Sequence, residues 1–581
     1  MIYLFSFWVG FAWLAYLLSV TGVFLSWIFG AYLFFGICAL LLFLFVRKGW
    51  RLLFLDRELL LFCVLAFSFV IVLSLFVTPT VFTGRDEGSL STAAILLSQN
   101  GSLVSNGPVV ESFFSFYGSG KALNFPGFFY NDSGGLVPQF PIPYIAWLGV
   151  FFSLFGIFGF TLANAVFFFL FLVSFFLLGR ALLPCRISAW LGVLFVVSSF
   201  SFSWFFGFTL SENFALFLVW VSILSLILFA RNGYRSYYWL FLFSSGLLVF
   251  ARIEGIALFV FGLGVLFFIS KKASFFLRNP FVYLILPLLI LVFLFAFTFE
   301  TAIPFYKTII KAFLGIGVSY STFENSTPTE HFLIPFLDRL VIFFNYGLLF
   351  FFITGFFGVW LAFLQRKKSF LLLIPFIVLL PFLIYLIDPQ ISSDHPWVLR
   401  RYVFALLPLF IFYATYFVCN LFSRVRIFSI ALSIVLVLSA LPSTVYFFTF
   451  SEHATLLDQT ELLSQRFSSS DVILIDKYVS GDSFSMISGP MHSFFDRQAV
   501  YIFNPEDLLR VPFDRFSSVY LIVPRNRQDV YVSNDSSWHV VDSFDVTTNI
   551  IDDADQSSAQ FFFLPRFKMV KTENVILKRE F

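Results

Sequence analysis

Long apolar runs separated by short polar connections dominate the chain. A helix needs roughly 20 apolar residues to cross the hydrocarbon of a bilayer. Runs of about that length lie near 2–20, 25–46, 59–78, 161–179, 187–205, 212–230, 237–251, 254–270, 281–299, 339–362, 369–387, 402–421 and 427–447, thirteen in all. The first run has no basic leader and no small-residue cleavage site, so it reads as a span and not as a signal peptide. The 237–251 run is short and turns through Arg252 and Glu254 into the next, which predicts a hairpin. A further run, opening at Pro141-Ile142-Pro143 and ending near Gly156, is compatible with a span or with a helix lying in the interface.

The pattern changes at Ser451. A helical stretch carrying Leu456, Leu457, Leu462 and Leu463 precedes a buried-strand run at 472–475. Further strand runs follow at 500–503, 519–523, 538–547 and 573–579, with a helix over 484–495 and a short one opening at Pro505. Alternating strands and helices predict a small α/β domain. The expected fold is a polytopic α-helical membrane protein with a C-terminal soluble α/β domain. Its parts are a two-helix segment (1–58), a membrane domain (59–450) holding a long loop (79–160), and the tail (451–581).

Composition agrees. Of 581 residues, 60% are hydrophobic and 12% charged, against about 45–50% and about 25% in soluble chains. A soluble enzyme is excluded, and so is a disordered protein, which needs low hydrophobicity. The net charge of +3 conceals an asymmetry: 451–581 holds 12 Lys/Arg and 19 Asp/Glu, net −7, while 1–450 holds 24 and 14, net +10. Neither part has a dense basic patch, so nucleic acid is not an expected partner. Cys38, Cys63, Cys185 and Cys419 lie in or beside apolar runs, without metal-ligand spacing.

Cytoplasmic loops carry the excess of Lys and Arg. With the N-terminus cytoplasmic and 141–156 in the interface, sixteen of the body's 24 cations fall inside. If 141–156 spanned, twelve of those sixteen would face out. The expected topology is therefore thirteen spans with the acidic tail extracytoplasmic, in a plasma membrane. Twelve of the body's fourteen acids then face out, ten of them in the outward segments 79–160, 300–338 and 388–401. Charges at span ends, not at mid-depth, point to a site at the outer membrane face.

Gly84-Arg85-Asp86-Glu87-Gly88 follows the third span directly. Two adjacent carboxylates at a membrane exit are costly unless water or a cation serves them. They fit a solvated loop start, or a general base beside a second carboxylate. An amphipathic helix over 90–97 and an Asn100-Gly101 turn come next; Phe140-Pro141-Ile142-Pro143-Tyr144 later opens the 141–156 helix. Glu212, in Thr209-Leu210-Ser211-Glu212-Asn213, is either a first-turn acid behind a Ser211 cap or a second site carboxylate. Arg252, in Ala251-Arg252-Ile253-Glu254-Gly255, is either half of a local ion pair or a site cation. His395-Pro396-Trp397-Val398-Leu399-Arg400-Arg401-Tyr402 is either an interfacial anchor or a phosphate-binding segment.

This order of motifs resembles the GT-C superfamily of membrane glycosyltransferases. The likeness is to the protein mannosyltransferase and lipid A aminoarabinose transferase branch (glycosyltransferase family 39 or 83-like) and covers roughly residues 60–450. It implies an inverting transfer of a sugar from a polyprenyl-phosphate donor at the outer face. Asp86 would be the base, with Glu87 the other candidate. Glu87 and Glu212 would orient the acceptor or hold a divalent cation, the metal itself being unassigned. Arg400 or Arg401, with His395, Lys121 or Arg252, would hold the donor phosphate. The partners implied are the lipid-linked sugar, a glycan, lipid or protein acceptor, and membrane lipids. One departure is that Gln139-Phe140-Pro141-Ile142-Pro143 lacks the Lys and the double proline of the aminoarabinose branch, leaving Lys121 as the possible substitute. A catalytically inactive GT-C scaffold and a lipid or solute transporter remain the alternatives.

Overall fold

The computed structural model describes residues 2–46, 56–78, 80–184, 186–269, 279, 281–298, 328–366, 370–389, 391, 394–448, 450–509, 513–532, 537–551 and 563–580. The predicted cytoplasmic cations Arg47, Lys48, Arg51, Lys271, Lys272, Arg278, Lys367 and Lys368, and most of the outward 300–338 segment, lie outside these residues.

The chain is a polytopic α-helical membrane protein with a C-terminal α/β part. Every predicted apolar run coincides with a helix or a helix pair, but the count of thirteen spans is not reproduced. Among the described residues, six unbroken helices are long and apolar enough to cross a membrane, nine if each of three bent pairs is one span. Others are too short: Glu254–Phe268 and Leu286–Thr298 fall below 18 residues. The predicted 339–362 span is broken, since Leu337–Asn345 and Leu348–Leu364 meet at 104°. Gly347 makes that corner with φ +70, and a Cβ there would sit 2.2 Å from the Ser439 carbonyl oxygen.

Helix Ile142–Phe155 has 14 residues, and its first turns, Ile142 to Phe151, are buried on all sides. At 1.5 Å per residue it falls short of a bilayer core of about 30 Å. It packs on helices Asp86–Asn100, Ile2–Val20 and Phe158–Leu182, and so forms a shelf against the start of the 79–160 segment. Helix Asp86–Asn100 ends where the Asn100-Gly101 turn was expected. Gly101 adopts φ 68, and its N–H donates to the Leu97 carbonyl.

The tail carries a five-stranded mixed sheet in the order Gln498–Tyr501, Val472–Ile475, Val519–Pro524, Phe567–Arg579, Trp538–Ile551. The first three strands are parallel and the last two antiparallel. The helix expected over 484–495 is shorter: Ser488–Ser493 is helical, while Ser485–Met486 is a strand. The reason is long-range, because these two residues pair antiparallel with Thr83–Gly84, just ahead of Asp86. The tail is thus fastened to the 79–160 segment and to the end of the last membrane helix. Asn124 Nδ2 donates to the Tyr501 carbonyl at 2.9 Å, Gln99 Nε2 to that of Ser493 at 3.0 Å, and the Phe450 and Phe567 rings stack at 3.9 Å.

Candidate active site

Four sequence-distant segments meet at one end of the bundle: the loop and helix start at 85–87, the start of helix Ser211–Asn232, the 252–254 turn, and the 394–402 segment. Each is held locally by polar contacts. Asn164 Nδ2 donates to the carbonyls of Phe206 and Phe208, and Asn213 Nδ2 to those of Phe205 and Phe208. These bonds shape the bend before helix Ser211–Asn232. Thr209 then ties that bend to the first loop, its hydroxyl donating to the Glu87 carbonyl at 2.9 Å and meeting the Thr80 hydroxyl at 2.7 Å. The Ser211 cap is not formed, because Leu210 is the capping residue. The Ser211 hydroxyl instead accepts from Arg252 Nη1 at 2.9 Å.

The charges form an alternating chain. Asp86 pairs with Arg400 at 2.7 Å. Glu212 lies 3.1 Å from Arg252, 3.9 Å from Arg400 and 3.8 Å from Arg401. Glu254 lies 2.8 Å from Arg252 and 3.9 Å from Arg401, and accepts a short hydrogen bond from the Tyr385 hydroxyl. Three carboxylates thus face three guanidiniums. Burial grades along the chain: Arg252 is 6% and Glu212 4% exposed at the side chain, while Asp86 is 44% exposed. Among the described residues Arg401 makes only the long ion-pair contacts, and Nε of both Arg400 and Arg401 meets no hydrogen-bond partner. Beside the chain, Arg85 pairs with Asp394 at 3.0 Å, with the Trp397 ring 4.5 Å from its guanidinium carbon.

Glu87 is different. It is buried, and its Oε2 has no hydrogen-bond partner among the described residues. Burial pushes its carboxyl up to about 7, against the pull of the Arg85 guanidinium. The folded protein therefore holds this proton more tightly than the unfolded chain does. Stability is unaffected below the ordinary carboxylate pKa of 4.5 and falls as pH rises from there to about 7. At its steepest the fall is about 1.4 kcal/mol per pH unit. Glu87→Gln is expected to abolish this fall. Thermal unfolding should show the variant gaining on the wild type between pH 5 and pH 8; equal pH dependence would contradict a neutral Glu87.

Of the residues singled out by sequence, Asp86, Glu87, Glu212, Arg252, Arg400 and Arg401 come together. Lys121 does not: it is exposed on the two-residue strand Gly120–Lys121, paired with Phe129, and joins none of these ion pairs. His395 sits near the site, with Nδ1 3.1 Å from the Tyr346 hydroxyl. Burial lowers its imidazole from the ordinary value, against the pull of Asp394. Among the described residues no three His, Cys, Asp or Glu side chains form a group able to hold a metal ion. Glu212 is surrounded by the protein's own guanidiniums. Sequence reasoning missed Asp394, Glu254 and Tyr385 as members of the cluster.

No protein-family profile and no curated relative matches the chain by sequence. Among solved structures it is similar to ArnT from Cupriavidus metallidurans in the apo state, at 11% identity and a TM-score of 0.50, over 92% of this chain and 98% of that one. It is equally similar to the same protein bound to undecaprenyl phosphate, at 12% identity and a TM-score of 0.51, over 90% and 98%. The chain therefore shares the fold of ArnT, in line with the resemblance carried by the order of motifs.

Proposed function

We propose that the chain is an inverting glycosyltransferase that moves a sugar from a polyprenyl-phosphate donor to an acceptor hydroxyl at the outer membrane face. The observation that carries this is the pairing of exposed Asp86 with Arg400 beside an Arg401 whose carboxylate contacts among the described residues are at 3.8–3.9 Å. A base and an under-paired cation at one rim suit the two ends of a displacement reaction. The undecaprenyl phosphate bound by ArnT, which shares the fold, is consistent with a lipid-phosphate donor.

An Asp86 oxygen takes the proton of the acceptor hydroxyl as its oxygen attacks the anomeric carbon. The bond from that carbon to the phosphate oxygen breaks, and its electron pair leaves with the phosphate. Inversion follows from attack opposite the leaving group. Arg400 and Arg401 meet the charge that builds on the phosphate, where guanidinium geometry suits bidentate contact. Glu212 and Arg252 act through those arginines by fixing where they stand. Glu87, neutral below about pH 7, limits the negative charge beside the base.

Purified protein in lipid, given radiolabelled polyprenyl-phosphate sugars, is expected to pass label to an acceptor or to water. Donor lipid that binds without any transfer would overturn the assignment and favour an inactive scaffold.

A further inference from the structure

We propose that Phe484, in the C-terminal part, is a positioning residue for the reaction: its ring holds Arg85 in place, and through the backbone fixes Asp86 and Glu87. The inference rests on the glycosyl-transfer reading above.

The Arg85 guanidinium carbon lies 4.2 Å from the Phe484 ring centroid and 4.5 Å from that of Trp397, while Nη1 reaches Asp394 at 3.0 Å. Three segments far apart in sequence (the first outer loop, the late outer loop and the tail) thus converge on the side chain that precedes Asp86. Guanidinium over a ring face is an attractive and directional contact. The backbone is equally constrained. Thr83 and Gly84 pair with Met486 and Ser485. A Cβ at Gly84 would stand 2.5 Å from the Phe484 carbonyl oxygen, and one at Gly88 would stand 1.7 Å from that of Phe82. The two carboxylates are therefore carried on a stretch with glycine-only approaches on both sides, and one of those approaches is supplied by the tail.

The late outer loop links this clamp to the catalytic pair. Asp394 and Trp397, which hold Arg85, stand a few residues ahead of Arg400, which holds Asp86. Arg85 also draws Glu87 towards its ionised form. A loosened Arg85 shifts that titration upward as well as misplacing Asp86. Phe484 is half-exposed, so shortening it removes little core.

The test compares full-length wild type, Phe484→Ala, Phe484→Leu, Phe484→Tyr and Asp86→Asn in lipid nanodiscs. Phe484→Leu keeps apolar bulk without a ring face. Both Phe484→Ala and Phe484→Leu should lower kcat by up to about 10²-fold, the scale of a reacting group misplaced by about 1 Å, with donor KM unchanged. They should also displace the pH profile of kcat upward and speed amide deuterium exchange over 83–90, while Phe484→Tyr restores all three. Wild-type kcat, pH profile and exchange in Phe484→Leu, with Asp86→Asn inactive, would overturn the clamp and leave the transfer reading standing. If wild type transfers nothing, the transfer reading fails, and unchanged 83–90 exchange in Phe484→Leu would still overturn the clamp.

Discussion

Arg252→Met should destabilise the protein by about 3–5 kcal/mol, the usual cost of removing one partner from a buried ion pair. Arg252 is 6% exposed and serves Glu212 at 3.1 Å, Glu254 at 2.8 Å and the Ser211 hydroxyl at 2.9 Å, with the Phe404 ring 4.7 Å away. Methionine fills much of the volume, so the loss is electrostatic. Two buried carboxylates would be left with Arg400 and Arg401 at 3.8–3.9 Å. Arg466→Met is the control: its pair with Asp542 is as short, at 2.7 Å, but 42% and 53% exposed. Exposed pairs contribute about 0–1 kcal/mol. Adding Glu254→Gln to Arg252→Met should recover part of the loss, because one stranded charge is then removed. Thermal unfolding of the four proteins in one lipid composition checks this. Equal losses for Arg252→Met and Arg466→Met would show that the ion chain does not carry the stability of this end of the bundle.

The fold was legible because apolar length is a local signal. Among the described residues the apolar runs coincide with helical segments, several of them bent or short and fewer than thirteen long enough to span, and the tail strands at 472–475 and 519–523 fell where apolar runs predicted them. Bends were not legible. Both arms of the 104° corner at Gly347 are apolar, and it is the backbone of Ser439, far along the chain, that excludes a side chain there. The 484–495 segment was assigned to helix throughout because nothing local reveals that Ser485–Met486 has Thr83–Gly84 as a partner. The same limit governs the site. Asp86 and Arg400 stand 314 positions apart, and Arg85 and Asp394 stand 309 apart. The pairing partners could be named only by the order of motifs, which selected Arg400 but passed over Asp394, one residue ahead of the chosen His395. Lys121 was selected because a phosphate site wants a cation near that place in the order. The structure puts it on the edge strand of a three-stranded sheet, in none of the ion pairs that the arginines make. Glu254 lay inside a quoted motif, yet only its burial with Tyr385 and Arg401 distinguishes it from a local partner of Arg252.

Asp86→Asn should reduce glycosyl transfer by about 10²–10⁴-fold, the contribution of a positioned general base, equivalent to about 3–5 kcal/mol of barrier. The substitution keeps the size of the side chain and leaves an amide oxygen to accept from Arg400. With the native side chain 44% exposed, folding should be unchanged. The loss should fall on kcat, since the donor phosphate is met by arginines that the variant retains. Glu87→Gln separates the two adjacent acids. A buried carboxyl held at about pH 7, with its partnerless oxygen turned away from solvent, is poorly placed to reach an acceptor hydroxyl, so its loss should cost far less than that of Asp86. The reverse order, with transfer retained in Asp86→Asn and lost in Glu87→Gln, would move the base to Glu87 and require the helix start to open on substrate binding. Full activity in both variants would remove the carboxylates from the chemistry and leave the arginine chain as a binding site alone. Initial rates of label transfer for both variants, at matched protein and donor lipid, distinguish these outcomes in one experiment.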